Sequence, residues 1–218
     1  MSYRAVVFDL DGVLWDGEPL YQRATNLVLA PYGFAMSDED TAQVIGHSVE
    51  ASWTWIKARF GLAEPIEEII PKYDATVMEL LLRPVQPLPG VRELIADLGR
   101  RDVPFGLASS SLRQWVEASL TGLGLRPAFR VVVTGSDVEN GKPAPDLYLL
   151  AAEGIGVPGE QCIAIEDTPS GVAAAHAAGM LAVQVRSAST AFPPLAEADI
   201  VLDSLLDFDL TLLQAPVS

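Results

Sequence analysis

The chain has 218 residues, half of them hydrophobic, which is enough for one large domain or one domain carrying a small insertion around a buried core. Its formal net charge of −15 repels nucleic acid and anionic membrane at long range, so neither is expected as a partner, and its single cysteine, Cys162, excludes an internal disulfide. The apolar run ahead of Asp9 is too short for a signal-peptide core and no run approaches the roughly 20 residues of a membrane span, so a cytoplasmic protein is expected.

Residues 5–8, Ala-Val-Val-Phe, are an apolar run closed by acidic residues and Gly12, as in a strand buried on both faces. From Pro19 to Arg83 the pattern is helical, broken at Pro31-Tyr32-Gly33, Gly61 and Pro65; Pro84, Pro87 and Pro89-Gly90 end that block. Beyond Gly90, helices are expected over 91–101, 112–123, 145–154 and 170–178. Strands are expected over 104–108, 131–133, 162–165, 181–185 and 200–202. Strands separated by helices of this length predict an α/β fold, a parallel sheet with helices on both faces. Ligands bind such sheets beyond the carboxyl ends of the strands, so the residues that follow each strand are the candidates for chemistry.

The first strand ends in Asp9-Leu10-Asp11-Gly12. Two carboxylates this close repel each other unless a cation sits between them, and a hard divalent ion with oxygen ligands relieves the repulsion. One carboxylate can attack phosphorus, and the other can protonate the leaving alkoxide and then activate water. The next strand ends in Ser109-Ser110-Ser111 before a helix, where hydroxyls and backbone N–H groups suit an anion or simply cap the helix. Then comes Asn140-Gly141-Lys142-Pro143-Ala144-Pro145-Asp146, a stiff loop holding one ammonium. The fourth strand ends in Glu166-Asp167-Thr168-Pro169, a second acidic pair beside a helix cap. Four consecutive strand ends therefore deliver a nucleophile, a hydroxyl, an ammonium and metal ligands in order.

In this order the motifs resemble the haloacid dehalogenase-like hydrolase superfamily, in its phosphoglucomutase and phosphoglycolate-phosphatase branch, over nearly the whole chain. The resemblance implies a Rossmann-like three-layer α/β/α core over 1–15 and 86–218, with an all-helical cap inserted over 16–85. It implies Asp9 as the nucleophile and Asp11 as the general acid/base. Leu10, Asp11, Ser109, Ser110 and Lys142 would hold the phosphoryl group. Magnesium would be bound by Asp9, Asp11 and Asp167, with Glu166 direct or through water. Asp11 argues against the dehalogenases that name the superfamily, because a halide leaves without protonation and a phosphate ester does not.

The cap of this family closes over the site and selects the substrate. Candidates for that task are Asp16, Glu18, His47, Trp53, Lys72, Ser111 and Arg113, with Lys72 and Arg113 as possible seats for a second anionic group. His176 and Cys162 are expected to be structural. In the β-phosphoglucomutases a histidine stands where this chain has Tyr21 and an arginine where it has Val49, which favours a phosphatase over a mutase. The expectation is a magnesium-dependent phosphatase acting on a small phosphorylated metabolite such as a sugar phosphate, a monomer or weak homo-oligomer. A sugar phosphomutase and a non-catalytic phosphate-binding module are the alternatives.

Overall fold

The computed structural model describes residues 3–45, 47–188 and 192–214. The chain divides into two compact units, residues 1–16 with 85–218, and residues 17–84. Asp16 and Val85, assigned above to the helical insertion, fall in the first unit.

The first unit is built on a six-stranded sheet of β1 (Ala5–Phe8), β2 (Phe105–Ser109), β3 (Val131–Thr134), β4 (Cys162–Glu166), β5 (Leu181–Val185) and β6 (Ile200–Leu202). Every pairing is parallel and the order is β3-β2-β1-β4-β5-β6. The chain thus leaves β1 in one direction to β2 and β3, then returns to β1 and builds β4 to β6 on its other side. The strand order reverses between β1 and β4, and the crevice beyond their carboxyl ends is where doubly wound sheets bind ligands. Both strand ends carry carboxylates, those of Asp9 and Glu166.

The sequence explains why β1 lies in the middle. All four of its residues are fully buried, as a strand covered by helices on both faces requires. On one face Phe8, Phe105 and Phe129 meet edge to face, with ring centroids 5.2–6.1 Å apart. On the other, Ala5 and Val7 join a cluster with Leu147, Tyr148, Ala151 and Ala152 of one helix and Val172, Ala174 and Ala175 of another. The small alanines let both helices lie close to the strands.

Among the described residues, four α-helices belong to the second unit: α1 (Glu18–Leu29), α2 (Asp38–Ala42), α3 (Val49–Phe60) and α4 (Ile66–Leu81). Gly61 ends α3 in the left-handed conformation and Pro65 is the N-cap of α4, so the two sequence breaks fall between helices. Trp53 is buried against Tyr73, ring centroids 5.3 Å apart, in that unit's core. The first unit carries α5 (Val91–Arg100), α6 (Arg113–Gly122), α7 (Asp146–Ile155) and α8 (Pro169–Ala177). On α5 the buried Val91, Leu94, Ile95 and Leu98 recur at helical spacing and form one face.

Candidate active site

The residue after β1, the last residue of β4 and the loop that follows β3 bring one ammonium between two carboxylates. Lys142 Nζ donates to Asp9 Oδ1 and Glu166 Oε1, each at 2.5 Å, and to the Ala108 carbonyl at 3.0 Å. Its side chain is 5% exposed, which rules out the ordinary solvent lysine of a proline-rich turn. All three ammonium hydrogens are thereby placed. Asn140 Nδ2 donates to Asp146 Oδ2, bracing the loop from both sides.

Glu166 is fully buried and its lone pairs are engaged. Oε1 accepts from Lys142 and from the Tyr148 hydroxyl at 2.7 Å. Oε2 accepts from the Asp167 and Thr168 N–H groups and from Thr168 Oγ1. Gly171 leaves room for this carboxylate, because a Cβ there would lie 1.9 Å from its carboxyl carbon. Thr168 caps α8 by accepting from the Gly171 N–H at 3.1 Å.

Beyond β1 the chain turns at once. Gly12 has φ +78°, a left-handed conformation, and a Cβ on it would lie 2.0 Å from Asp167 Oδ2. Glycine is required here for the turn and for the approach of Asp167. Ser111 Oγ donates to Asp11 Oδ2 at 2.9 Å, and the Ser111 N–H donates to Ser109 Oγ at 3.1 Å. Ser109 is buried and Ser110 is exposed. None of the three serines is the N-cap of α6; that position is Leu112, without a side-chain cap bond. The capping role that serines before a helix suggest is thus not taken up.

A family model of haloacid dehalogenase-like hydrolases matches residues 6–185. The chain belongs to the haloacid dehalogenase-like hydrolase family. It is 39% identical over 208 residues to a probable pseudouridine-5'-phosphatase of Drosophila melanogaster, covering 93% of this chain and 90% of that protein. It is 38% identical over 188 residues to the fructose-1-phosphate phosphatase YqaB of Escherichia coli, covering 84% and 97%. The crystal structure of CbbY from Rhodobacter sphaeroides in complex with phosphate superposes with a TM-score of 0.82 at 28% identity, covering 94% of this chain and 96% of that one. With phosphatases among its relatives over most of its length, this member of the family is a phosphoric monoester hydrolase.

The electrostatics of the site ask for more positive charge than Lys142 supplies. Burial, with Glu166 and Asp11 nearby, pushes the Asp9 carboxyl up to about 7 even though Lys142 pulls it down. Burial, Glu166 and Asp9 likewise push Asp167 well above the usual carboxylate range. Glu166 goes the other way: burial opposes its charge, but Lys142 and the hydroxyl and N–H donors hold it below its ordinary value. Burial also works against the charge on Lys142, yet Asp9 and Glu166 keep it protonated. Asp9, Glu166 and Asp167 each offer an oxygen within 4.8 Å of the others, and the buried Asp167 Oδ1 has no hydrogen-bond partner among the described residues. A hard divalent cation fits this donor set. Asp9 and Asp167 hold its unspent oxygens, whereas Glu166 reaches a cation directly only by giving up a donor.

The remaining candidates lie elsewhere or are engaged. Lys72, expected to seat an anionic group, pairs with Glu64 at 2.5 Å, and Glu64 also accepts from the Tyr32 hydroxyl, all within the second unit. Arg113, expected in the same role, pairs with Asp137 at 2.5 Å and lies 3.6 Å from Glu117. Both are drawn off by acidic neighbours, which abound in a chain of this charge. Glu18 stands in the first turn of α1, and His47 is exposed; its neighbour Gly46 lies outside the described residues. Asp16 is half-buried in the first unit. Cys162 is buried, and burial raises its thiol to about 11, so it is a core residue and no nucleophile. His176 pairs with Asp199, whose carboxylate also accepts from the Ala182 N–H. The residue that sequence reasoning missed is Tyr148. It reads as one more apolar position of α7, and only its hydroxyl, needing a partner once buried, could have flagged it.

Proposed function

We propose that this hydrolase is a magnesium-dependent phosphatase that transfers the phosphoryl group of a small phosphorylated metabolite, a sugar phosphate or a similar ester, to Asp9 and then to water. An Asp9 oxygen attacks phosphorus as the ester P–O bond breaks, and Asp11 gives its proton to the departing alkoxide. Water then attacks the phosphorus of the aspartyl-phosphate, Asp11 takes the proton, and inorganic phosphate leaves with Asp9 restored. The Ser111 hydroxyl fixes the orientation of Asp11 for both proton transfers. Ser109, Lys142 and the backbone at Leu10 and Asp11 hold the phosphoryl oxygens. When bound at Asp9 and Asp167, with Asp11 adjoining, magnesium supplies the positive charge that keeps the carboxylates ionised and offsets charge on those oxygens.

The observation that carries this reading is the buried Lys142 ammonium on Asp9, beside an Asp167 oxygen that has no partner among the described residues. The relatives named for pseudouridine 5'-phosphate and fructose 1-phosphate support a small soluble ester as substrate. Tyr21 and Val49, in place of the mutases' histidine and arginine, favour water over a sugar as the final acceptor. Among the described residues no helix is long and apolar enough to cross a membrane, and cytoplasmic metabolites are the proposed substrate pool.

The test is release of inorganic phosphate from a panel of phosphorylated metabolites, with and without magnesium, using Asp9→Asn as the blank. Release that needs both magnesium and Asp9 is expected. Full activity in Asp9→Asn sinks the proposal, and isomerisation of a hexose 1-phosphate stimulated by its bisphosphate replaces it with a mutase.

A further inference from the structure

Tyr148, in the first turn of α7, is fully buried, and a phenylalanine would fill the same space in the core. Its hydroxyl is therefore unneeded for packing, and burying it costs free energy unless it finds a partner. That partner is Glu166 Oε1, at 2.7 Å, the same oxygen that accepts from Lys142. The ring faces the same ammonium: Lys142 Nζ lies 5.1 Å from the ring centroid, within the range of a cation–π contact. One side chain thus touches the lysine twice, once directly and once through the carboxylate that anchors it. By sharing Oε1, the phenol also limits how far Glu166 draws the ammonium away from Asp9.

We propose that Tyr148 is a positioning residue for phosphoryl transfer, its hydroxyl holding Glu166 and its ring backing Lys142 so that the ammonium stays aimed at the oxygens of a group arriving at Asp9. This rests on the reading of Lys142 as the phosphoryl clamp. Transition-state stabilisation by a fixed charge depends on aim, so a loosened lysine costs turnover more than ground-state binding.

The experiment compares Tyr148→Phe, Lys142→Met and the double variant with the wild-type enzyme. Each is followed by steady-state kinetics on a phosphomonoester and by calorimetric titration with orthovanadate, a mimic of the transferring group. Tyr148→Phe keeps the ring and loses only the hydrogen bond to a charged acceptor, so kcat is expected to fall about tenfold with KM within about threefold. Vanadate affinity should weaken by about the same factor as kcat, but only where Lys142 is present; in the Lys142→Met background the second change should have no effect. Unchanged kcat, or an equal loss of vanadate affinity in both backgrounds, overturns the proposal. So does a Phe variant that no longer melts cooperatively, since the hydroxyl would then be structural. A wild-type enzyme that neither turns over a phosphate ester nor binds vanadate sinks the parent reading instead.

Discussion

Replacing the Asp9 carboxylate with an amide of the same shape should end catalysis and, in the metal-free protein at neutral pH, raise stability. Asp9 is 7% exposed, and burial, reinforced by Glu166 and Asp11, lifts its carboxyl from 3.8 to about 7 against the pull of Lys142. The folded protein then holds this proton more tightly than the unfolded chain does. The stability that this group contributes is complete below 3.8 and is lost as pH climbs toward 7. At 1.36 kcal/mol per pH unit the whole loss is about 4 kcal/mol, of which about 2–3 kcal/mol falls between about pH 5 and pH 8. The amide of Asp9→Asn does not titrate in this range and escapes this loss. Urea unfolding of both proteins with a chelator present, across that interval, is the assay. The stability of Asp9→Asn relative to wild type should grow by about 2–3 kcal/mol from the acid to the alkaline end. Magnesium should narrow the gap at the alkaline end by stabilising the wild type. Parallel profiles for the two proteins would refute the claim that the site's carboxylates are held together at the expense of the fold.

Gly171→Ala forces a Cβ to within 1.9 Å of the Glu166 carboxyl carbon, so it should cost about 2–3 kcal/mol of stability and most of the turnover. A wild-type thermal midpoint and rate would mean that Glu166 is not cradled as described. Gly12→Ala combines a positive φ with a clash at Asp167, and isothermal titration should show weakened magnesium binding. Lys72→Ala and Arg113→Ala remove exposed cations already paired with Glu64 and Asp137. Their KM values should stay within about twofold of wild type, and a tenfold rise for either would return it to the substrate site.

The architecture was legible because parallel strands buried on both faces read as short apolar runs, and each run here stops at a polar residue that begins a loop. The structure moves those limits little: β2 runs on through Ser109, β4 through Glu166, and α8 begins at Pro169. Polar end residues extend the strands because their backbones continue the ladder even as their side chains turn to the site. Asp9, Lys142 and Glu166 are far apart in sequence and stand together because the strand order reverses beside β1. What stayed hidden was how each polar group is satisfied. Glu166 and Asp167 are adjacent in the chain, yet among the described residues one takes five donors and the other keeps an oxygen with none. Ser111 looked like a substrate contact and lies on Asp11. Lys72 and Arg113 looked available because their carboxylate partners are eight and 24 residues away. Partnerships of this kind depend on tertiary placement, which neither periodicity nor spacing encodes.

The proposed mechanism requires Asp9 itself to carry the phosphoryl group. Acid-quenching the enzyme during turnover of a phosphomonoester with magnesium, followed by mass spectrometry of its peptides, reads that adduct out without passing through steady-state rates. A phosphoryl adduct is expected on the peptide containing Asp9 and is expected to be absent from Asp9→Asn. Phosphate release at an undiminished rate by Asp9→Asn, with no adduct on that peptide in either protein, would contradict that mechanism.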